Sequence, residues 1–342
     1  MTAADKYADA PTEAPALEVR NLCVSASHKA GKRRQLLDAI SFKVMPGEAL
    51  GVVGESGSGK SLTSLSILRL LPLGLRIDTG EILLDGVNVL DMAPRELRAA
   101  RGRKFSMVLQ DPMSSLDPCF QIRSQMREAL WNVASASGAS GSELDEICEG
   151  LLRQVRMPEP DIVLGKYPHE LSGGMRQRVT SAIALSGAPD VLIADEPTTA
   201  LDVTSQALYL SMLKQLQRDT GFSLVFVSHD LLLVKQLCDR LIVMYAGQVI
   251  EEGPISEVLA NPAHPYTRAL LRSIPKPEVD AELFPIEGYP PDPSAYPPGC
   301  RFAPRCPFAR EACNAGIPRS TPRSPTGHVA RCIGSADGGW VS

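Results

Sequence analysis

The 342-residue chain lacks any apolar run long enough to span a bilayer; its leucine-rich stretch, Leu62–Leu75, is interrupted by Arg69 and Pro72. It also lacks an excess of positive charge. With 35 Lys and Arg against 39 Asp and Glu, the net charge is −4, which argues against a nucleic-acid partner. Met1–Pro15 has no apolar core of the kind a secretory signal needs; acidic, Ala-rich and broken by prolines, residues 1–15 read as a disordered tail. No internal repeat is visible. These absences predict a cytosolic chain, held at a membrane only through partners. The 44% hydrophobic and 22% charged residues are those of an ordinary soluble protein, large enough for one α/β domain with an appendage or for two modest domains.

Eight cysteines are present. Cys23, Cys119, Cys148 and Cys238 are scattered and read as packing residues or free thiols in a reducing compartment. Cys300, Cys306, Cys313 and Cys332 crowd the C-terminal part, where proline recurs every few residues between Pro262 and Pro325. There the strand and helix patterns fade, apart from a short helix near Tyr266–Arg272. The composition shift predicts a boundary near Leu259, with an extension over 259–342.

Before that boundary, short strands are expected at Leu17–Val19, Leu36–Val44, Ala49–Val53, Glu81–Leu84 and Phe105–Leu109. Ser27–Gln35 reads as a turn whose Lys29, Lys32, Arg33 and Arg34 form a solvated tip. Ser61–Leu71 and Val203–Arg218 have helical apolar spacing, and Asp117–Leu171 looks mainly helical. Val191–Ala194 and Leu224–Val227 are compact apolar runs, the pattern of buried parallel strands. Leu241–Met244 and Gln248–Glu252 predict a hairpin around Ala246–Gly247.

Two of these strands lead into chemistry. Ala49–Val53 runs into Gly54-Glu55-Ser56-Gly57-Ser58-Gly59-Lys60-Ser61, which fits G-x-x-x-x-G-K-[ST] at every fixed position, with Leu62 opening the helix that follows. The glycines let backbone N–H groups curl around phosphate oxygens, and the helix N-terminus adds the positive end of its dipole. Lys60 is expected to reach the β- and γ-phosphates of ATP, and Ser61 to ligate Mg²⁺. Val191–Ala194 ends in Asp195 and Glu196, carboxylates at the edge where ligands bind in open α/β sheets. Asp195 is expected to hold Mg²⁺ and Glu196 to act as general base toward the attacking water.

Leu171-Ser172-Gly173-Gly174-Met175-Arg176-Gln177-Arg178 resembles the signature motif of ABC-transporter ATPases. Gln110, in Val108-Leu109-Gln110-Asp111-Pro112, resembles that family's Q-loop glutamine; Ala200-Leu201-Asp202 resembles its D-loop and His229 its switch histidine. The resemblance covers about residues 16–258, with a helical subdomain at about 113–175. It implies an α/β fold: a P-loop NTPase core with an N-terminal antiparallel β subdomain and a helical signature subdomain. It further implies that Gln110 joins Ser61 and Asp195 around Mg²⁺, and that Glu196, His229, Gln110 and Lys60 serve hydrolysis. Ser172, Gly173 and Gly174, with Asp202, would complete the ATP site of a second ATPase subunit. One departure is plain: where the family stacks adenine on an aromatic residue near the end of the first strand, Val24-Ser25-Ala26-Ser27-His28 has no Tyr or Phe. Ala26 takes the place, with His28 a substitute.

Asn261-Pro262-Ala263-His264-Pro265-Tyr266-Thr267-Arg268-Ala269-Leu270-Leu271 resembles the segment after the ATPase core in oligopeptide and dipeptide importers. That likeness implies a peptide-import motor at the cytoplasmic face of the inner membrane. Its partners would be a second, paralogous ATPase forming a heterodimer, two transmembrane permease subunits and an extracytoplasmic solute-binding protein. Nickel and other small-solute importers share much of this sequence, and a soluble ABC ATPase outside transport is a further alternative. The wide, uneven spacing of Cys300, Cys306, Cys313 and Cys332 suits a 4Fe–4S cluster, as the resemblance also implies; zinc and unliganded thiols remain alternatives. The extension is thus expected to be irregular and metal-binding, with His264 and His328 at its surface.

Overall fold

The computed structural model describes residues 14–27, 33–134, 141–199, 201–274 and 285–336. Most of the tail, His28, Lys29 and Lys32 of the first turn, and Ala200 lie outside the described residues.

The strands are β1 (Leu17–Ser27), β2 (Arg33–Val44), β3 (Ala49–Val53), β4 (Leu75–Leu84), β5 (Val87–Asn88), β6 (Phe105–Val108), β7 (Val191–Asp195), β8 (Ser223–Ser228), β9 (Arg240–Tyr245), β10 (Gln248–Pro254), β11 (Thr321–Pro322) and β12 (Val329–Ala330). They form a four-stranded antiparallel sheet in the order β2-β1-β4-β5 and an eight-stranded sheet in the order β11-β12-β10-β9-β3-β8-β7-β6. In the larger sheet β9, β3, β8, β7 and β6 run parallel, while β10, β12 and β11 are antiparallel additions at one edge.

The parallel strands read as unbroken apolar runs because both faces of the sheet are covered. Alternate residues divide between two cores. Leu50, Val52, Ile193, Val225 and Ile242 pack toward the antiparallel sheet. Ala49, Val53, Leu192, Ala194, Leu224 and Phe226 pack toward helices Gly173–Leu185 and Val203–Thr220 and the helical segment. That segment comprises Ile122–Ala134, Gly141–Gln154 and Pro160–Leu164.

The parallel strands and β10 fall where the sequence places them, within a residue or two, whereas β4 begins earlier, at Leu75, and β2 at Arg33, so that Arg33 and Arg34 of the expected turn lie in a strand. β1 is longer than expected, continuing through Ser27 because it pairs on both sides, with β2 and β4, across local register shifts. The helix after β3 is shorter, Lys60–Ile67.

The larger difference is in the extension. β12 pairs with β10, Glu251 opposite Ala330, and so joins the core sheet. Tyr266 and Phe302 are buried in the core cluster that holds Val243 and Tyr245, and their rings meet edge to face, centroids 5.5 Å apart. His264 and His328, expected at the surface, are buried at 1% and 3% exposure. The reason is Glu251, itself 1% exposed: it accepts hydrogen bonds from the backbone N–H of Ala263 (2.6 Å) and His264 (2.8 Å), and lies 2.8 Å from His328 Nε2. Burial pushes the His264 imidazole down to about 4, so the ring is neutral and its Nδ1 accepts from the Tyr266 N–H.

Candidate functional site

The parallel register brings the strand ends level. Val53 pairs with Ser228, Asp195 with Val227, and Val108 with Ala194. The residues that follow, Gly54, His229, Glu196 and Gln110, therefore emerge together at the carboxyl edge of the sheet, where open α/β folds bind ligands.

The loop after β3 can curl back only because two positions carry no Cβ. At Gly54 a Cβ would lie 2.2 Å from the carbonyl oxygen of Met244. At Gly59, with φ of 104°, it would lie 2.5 Å from Leu37 Cδ2. Lys60, 5% exposed, folds over the loop and donates to the carbonyls of Gly54 (2.8 Å) and Glu55 (3.2 Å). Its Nζ lies 3.7 Å from Glu196 Oε1. Burial lowers the Lys60 pKa, opposed by the charges of Glu196 and Asp195.

Glu196 is the hub. Its backbone is held at φ of 45°, a strained conformation for a non-glycine residue. Its Oε2 accepts from Gln110 Nε2 (3.2 Å) and Thr199 Oγ1 (3.1 Å), and lies 3.3 Å from His229 Nδ1. Asp195 is 4% exposed, and burial raises its pKa against the hydrogen bond from Ser61. Its Oδ1 is buried without a protein partner among the described residues. A buried carboxylate oxygen of this kind, beside the Ser61 hydroxyl, is a fit for a divalent cation with oxygen ligands.

One cavity of about 410 Å³ collects these groups, lined by Leu36, Ser56, Gly57, Gly59, Lys60, Ser61, Leu62, Gln110, Glu196, His229, Pro293 and Tyr296. Glu55 and Ser58 of the loop turn elsewhere. Glu55 is gripped by the extension: Arg305 donates to both carboxylate oxygens, at 2.8 and 3.1 Å, while the Glu55 N–H donates to Tyr266 Oη at 2.8 Å. Ser172, Gly173 and Gly174 are not in the cavity. Ser172 caps helix Gly173–Leu185, its Oγ accepting from the Met175 N–H. Asp202 likewise caps Val203–Thr220 by accepting from the Ser205 N–H and hydroxyl. Leu36, Pro293, Tyr296, Tyr266 and Arg305 were not expected at the site. The extension residues carry no local signal, since they reach it only through tertiary packing.

The resemblance noted in the sequence is matched by comparison with known proteins. The family profile described as ABC transporter matches residues 37–199, and that described as oligopeptide/dipeptide transporter, C-terminal region, matches residues 250–313. A putative peptide import ATP-binding protein of Brucella abortus is 44% identical over 324 residues, covering 92% of this chain and 96% of its own. The chain belongs to the ABC-transporter ATPase family. A dipeptide transport ATP-binding protein of Bacillus subtilis, DppD, is 43% identical over 318 residues, covering 92% of this chain and 93% of its own. Among solved structures, an ATP-binding cassette in a dimeric, post-hydrolysis state with ADP and phosphate superposes with a TM-score of 0.62 at 26% identity. It covers 70% of this chain and 98% of that one. As an ABC ATPase the chain has the expected architecture: an α/β P-loop core, an antiparallel β subdomain and a helical part. No described helix is long and apolar enough to cross a membrane.

The four extension cysteines line one further cavity, together with His264 and Phe302. Burial raises the thiol pKa of Cys306 to about 11 and that of Cys300 in the same direction, with the neighbouring cysteines adding to both. Among the described residues, no three His, Cys, Asp or Glu side chains are close enough to hold a metal ion.

Proposed function

We propose that this chain is the ATP-hydrolysing motor of a peptide importer, working at the cytoplasmic face of the inner membrane as a peripheral subunit. The peptide assignment is supported by the names of the relatives and by the matched C-terminal region. The catalytic assignment rests on one observation, the convergence of Lys60, Gln110 and His229 on Glu196 at the mouth of the phosphate loop.

In this reading the amides of Gly54–Leu62 and the Lys60 ammonium bind the triphosphate. Ser61, Gln110 and Asp195 would hold Mg²⁺, which would supply charge neutralisation for the phosphates. Glu196 takes a proton from the water that attacks the γ-phosphorus. The bond to the β–γ bridging oxygen breaks, and ADP and phosphate leave. Gln110 and His229 keep the Glu196 carboxylate aimed at that water. Ser172, Gly173 and Gly174 open a helix outside the chain's own cavity, and with Asp202 they serve the nucleotide of a second ATPase, a paralogue in a heterodimer. Two permease subunits and an extracytoplasmic binding protein complete the assembly. The net charge of −4 argues against a general nucleic-acid binder.

The division into an ATPase domain at 16–258 and an extension at 259–342 follows the change in composition. Cys300, Cys306, Cys313 and Cys332 would hold a 4Fe–4S cluster. The reading is supported by the four thiols lining one cavity, a donor set that 4Fe–4S clusters use. Anaerobically purified protein should then show visible thiolate-to-iron absorbance, whereas colourless protein with stoichiometric zinc refutes the cluster. For the motor, Glu196→Gln should retain ATP binding and abolish turnover by the assembled transporter; wild-type turnover in that variant sinks the assignment.

A further inference from the structure

The cavity has a phosphate end built from the loop, but β1 offers no ring for a base. Among the described lining residues only two carry aromatic rings. His229 faces Glu196, which leaves Tyr296. The other aromatic side chains near the loop, Tyr245, Tyr266 and Phe302, are at most 1% exposed and cannot meet a ligand.

Tyr296 is held as a platform would be. The guanidinium carbon of Arg301 sits 3.8 Å from the centroid of its ring, covering one face. Arg301 is 5% exposed and fixed in turn, donating to Asp38 Oδ2 (2.6 Å) and the Ala246 carbonyl (2.5 Å). The ring itself is half-buried, and the surface left open lines the nucleotide cavity beside Leu36 and Pro293.

The placement is also anchored to the strand that lacks the aromatic residue. Ala26 on β1 pairs with Arg34 on β2. Arg34 Nη2 donates to Asp292 Oδ1 at 2.8 Å, and Asp292 caps the turn leading to Tyr296 by accepting from the Ser294 N–H and hydroxyl. The extension thus bonds to the cross-strand neighbour of Ala26 and brings a ring of its own.

We propose that Tyr296 stacks on the base of the bound nucleoside triphosphate, so that the C-terminal extension completes the chain's own nucleotide site. This rests on the ATP-site reading above. Because every base has a π-face, such stacking accepts adenine and guanine alike. Arg301 immobilises the ring before ligand arrives, so little side-chain entropy is lost on binding.

The test is titration of the full chain with a non-hydrolysable ATP analogue and, separately, with inorganic tripolyphosphate, each with Mg²⁺. The wild-type chain should bind the analogue more tightly than tripolyphosphate. Tyr296→Ala should weaken the analogue about tenfold and leave tripolyphosphate unchanged, and Tyr296→Phe should restore analogue binding. Unchanged analogue binding by Tyr296→Ala overturns the proposal. So does an equal loss of both ligands, which would mark a structural role. A wild-type chain that binds neither ligand overturns the ATP-site reading itself.

Discussion

The grip of the extension on the phosphate loop makes a quantitative prediction. Arg305 has 5% of its side chain exposed and Glu55 has 25%. Besides its two bonds to Glu55, Arg305 donates to the carbonyls of Glu287 (2.9 Å) and Ile286 (3.2 Å) and to Tyr245 Oη (3.2 Å). Arg305→Ala strips the charge partner from a carboxylate that water reaches on one side only. Breaking a buried pair in this way costs about 3–5 kcal/mol, and the partial exposure of Glu55 sets the expectation near the lower end, about 3 kcal/mol. Glu55→Ala costs less, because the guanidinium keeps its carbonyl acceptors. In the double variant the orphaned carboxylate is gone, so the two losses must not add: a coupling of at least about 1 kcal/mol is expected. Urea unfolding of the wild type, both single variants and the double variant closes the cycle. Additivity within about 0.5 kcal/mol would refute the claim that the two side chains act as a pair.

Three further substitutions test the packing around the site and the extension. Gly59→Ala forces a side chain into a left-handed position 2.5 Å from Leu37 Cδ2, whereas Gly57→Ala, with φ of 78°, meets nothing within 4 Å. Both should lose stability, by about 1–3 kcal/mol, but only Gly59→Ala should also abolish nucleotide binding in a titration. Glu251→Gln turns one of the acceptors for Ala263, His264 and His328 into a donor. It should destabilise by about 1–3 kcal/mol, and an unchanged thermal midpoint would show that this buried network does not tie the extension to the sheet.

The core strands were legible because β3, β7 and β8 are buried on both faces and leave continuous apolar runs. The proposed phosphate end of the cavity was legible because its chemistry is contiguous: Gly54–Ser61 lies in one loop, and Asp195 ends one strand with Glu196 next to it. Gln110 and His229 were found through family resemblance, and the register then brings them together. What was hidden depends on long-range packing. β11 and β12 are two residues each, too short for periodicity, and exist only because β10 offers an edge. The burial of His264 and His328 follows from a carboxylate on β10, Glu251, and no pattern near either histidine announces it. Tyr296 is one of several aromatics in a proline-rich stretch, set apart only by the cavity it lines.

The pairing of β12 with β10 also has a consequence in time. A ribosome makes β10 well before β12, so the ATPase core can fold while one edge of its main sheet is still unpaired. A bare edge of that kind is a template for another chain. Arg305 and Tyr296 emerge in the same late interval, so the nascent core holds its phosphate loop without the grip on Glu55. Completion of the sheet and the proposed completion of the nucleotide site therefore fall together, after the ATPase core has emerged. A chain truncated after Pro254 would lose both at once: it would be prone to aggregate through β10 and would bind nucleotide weakly.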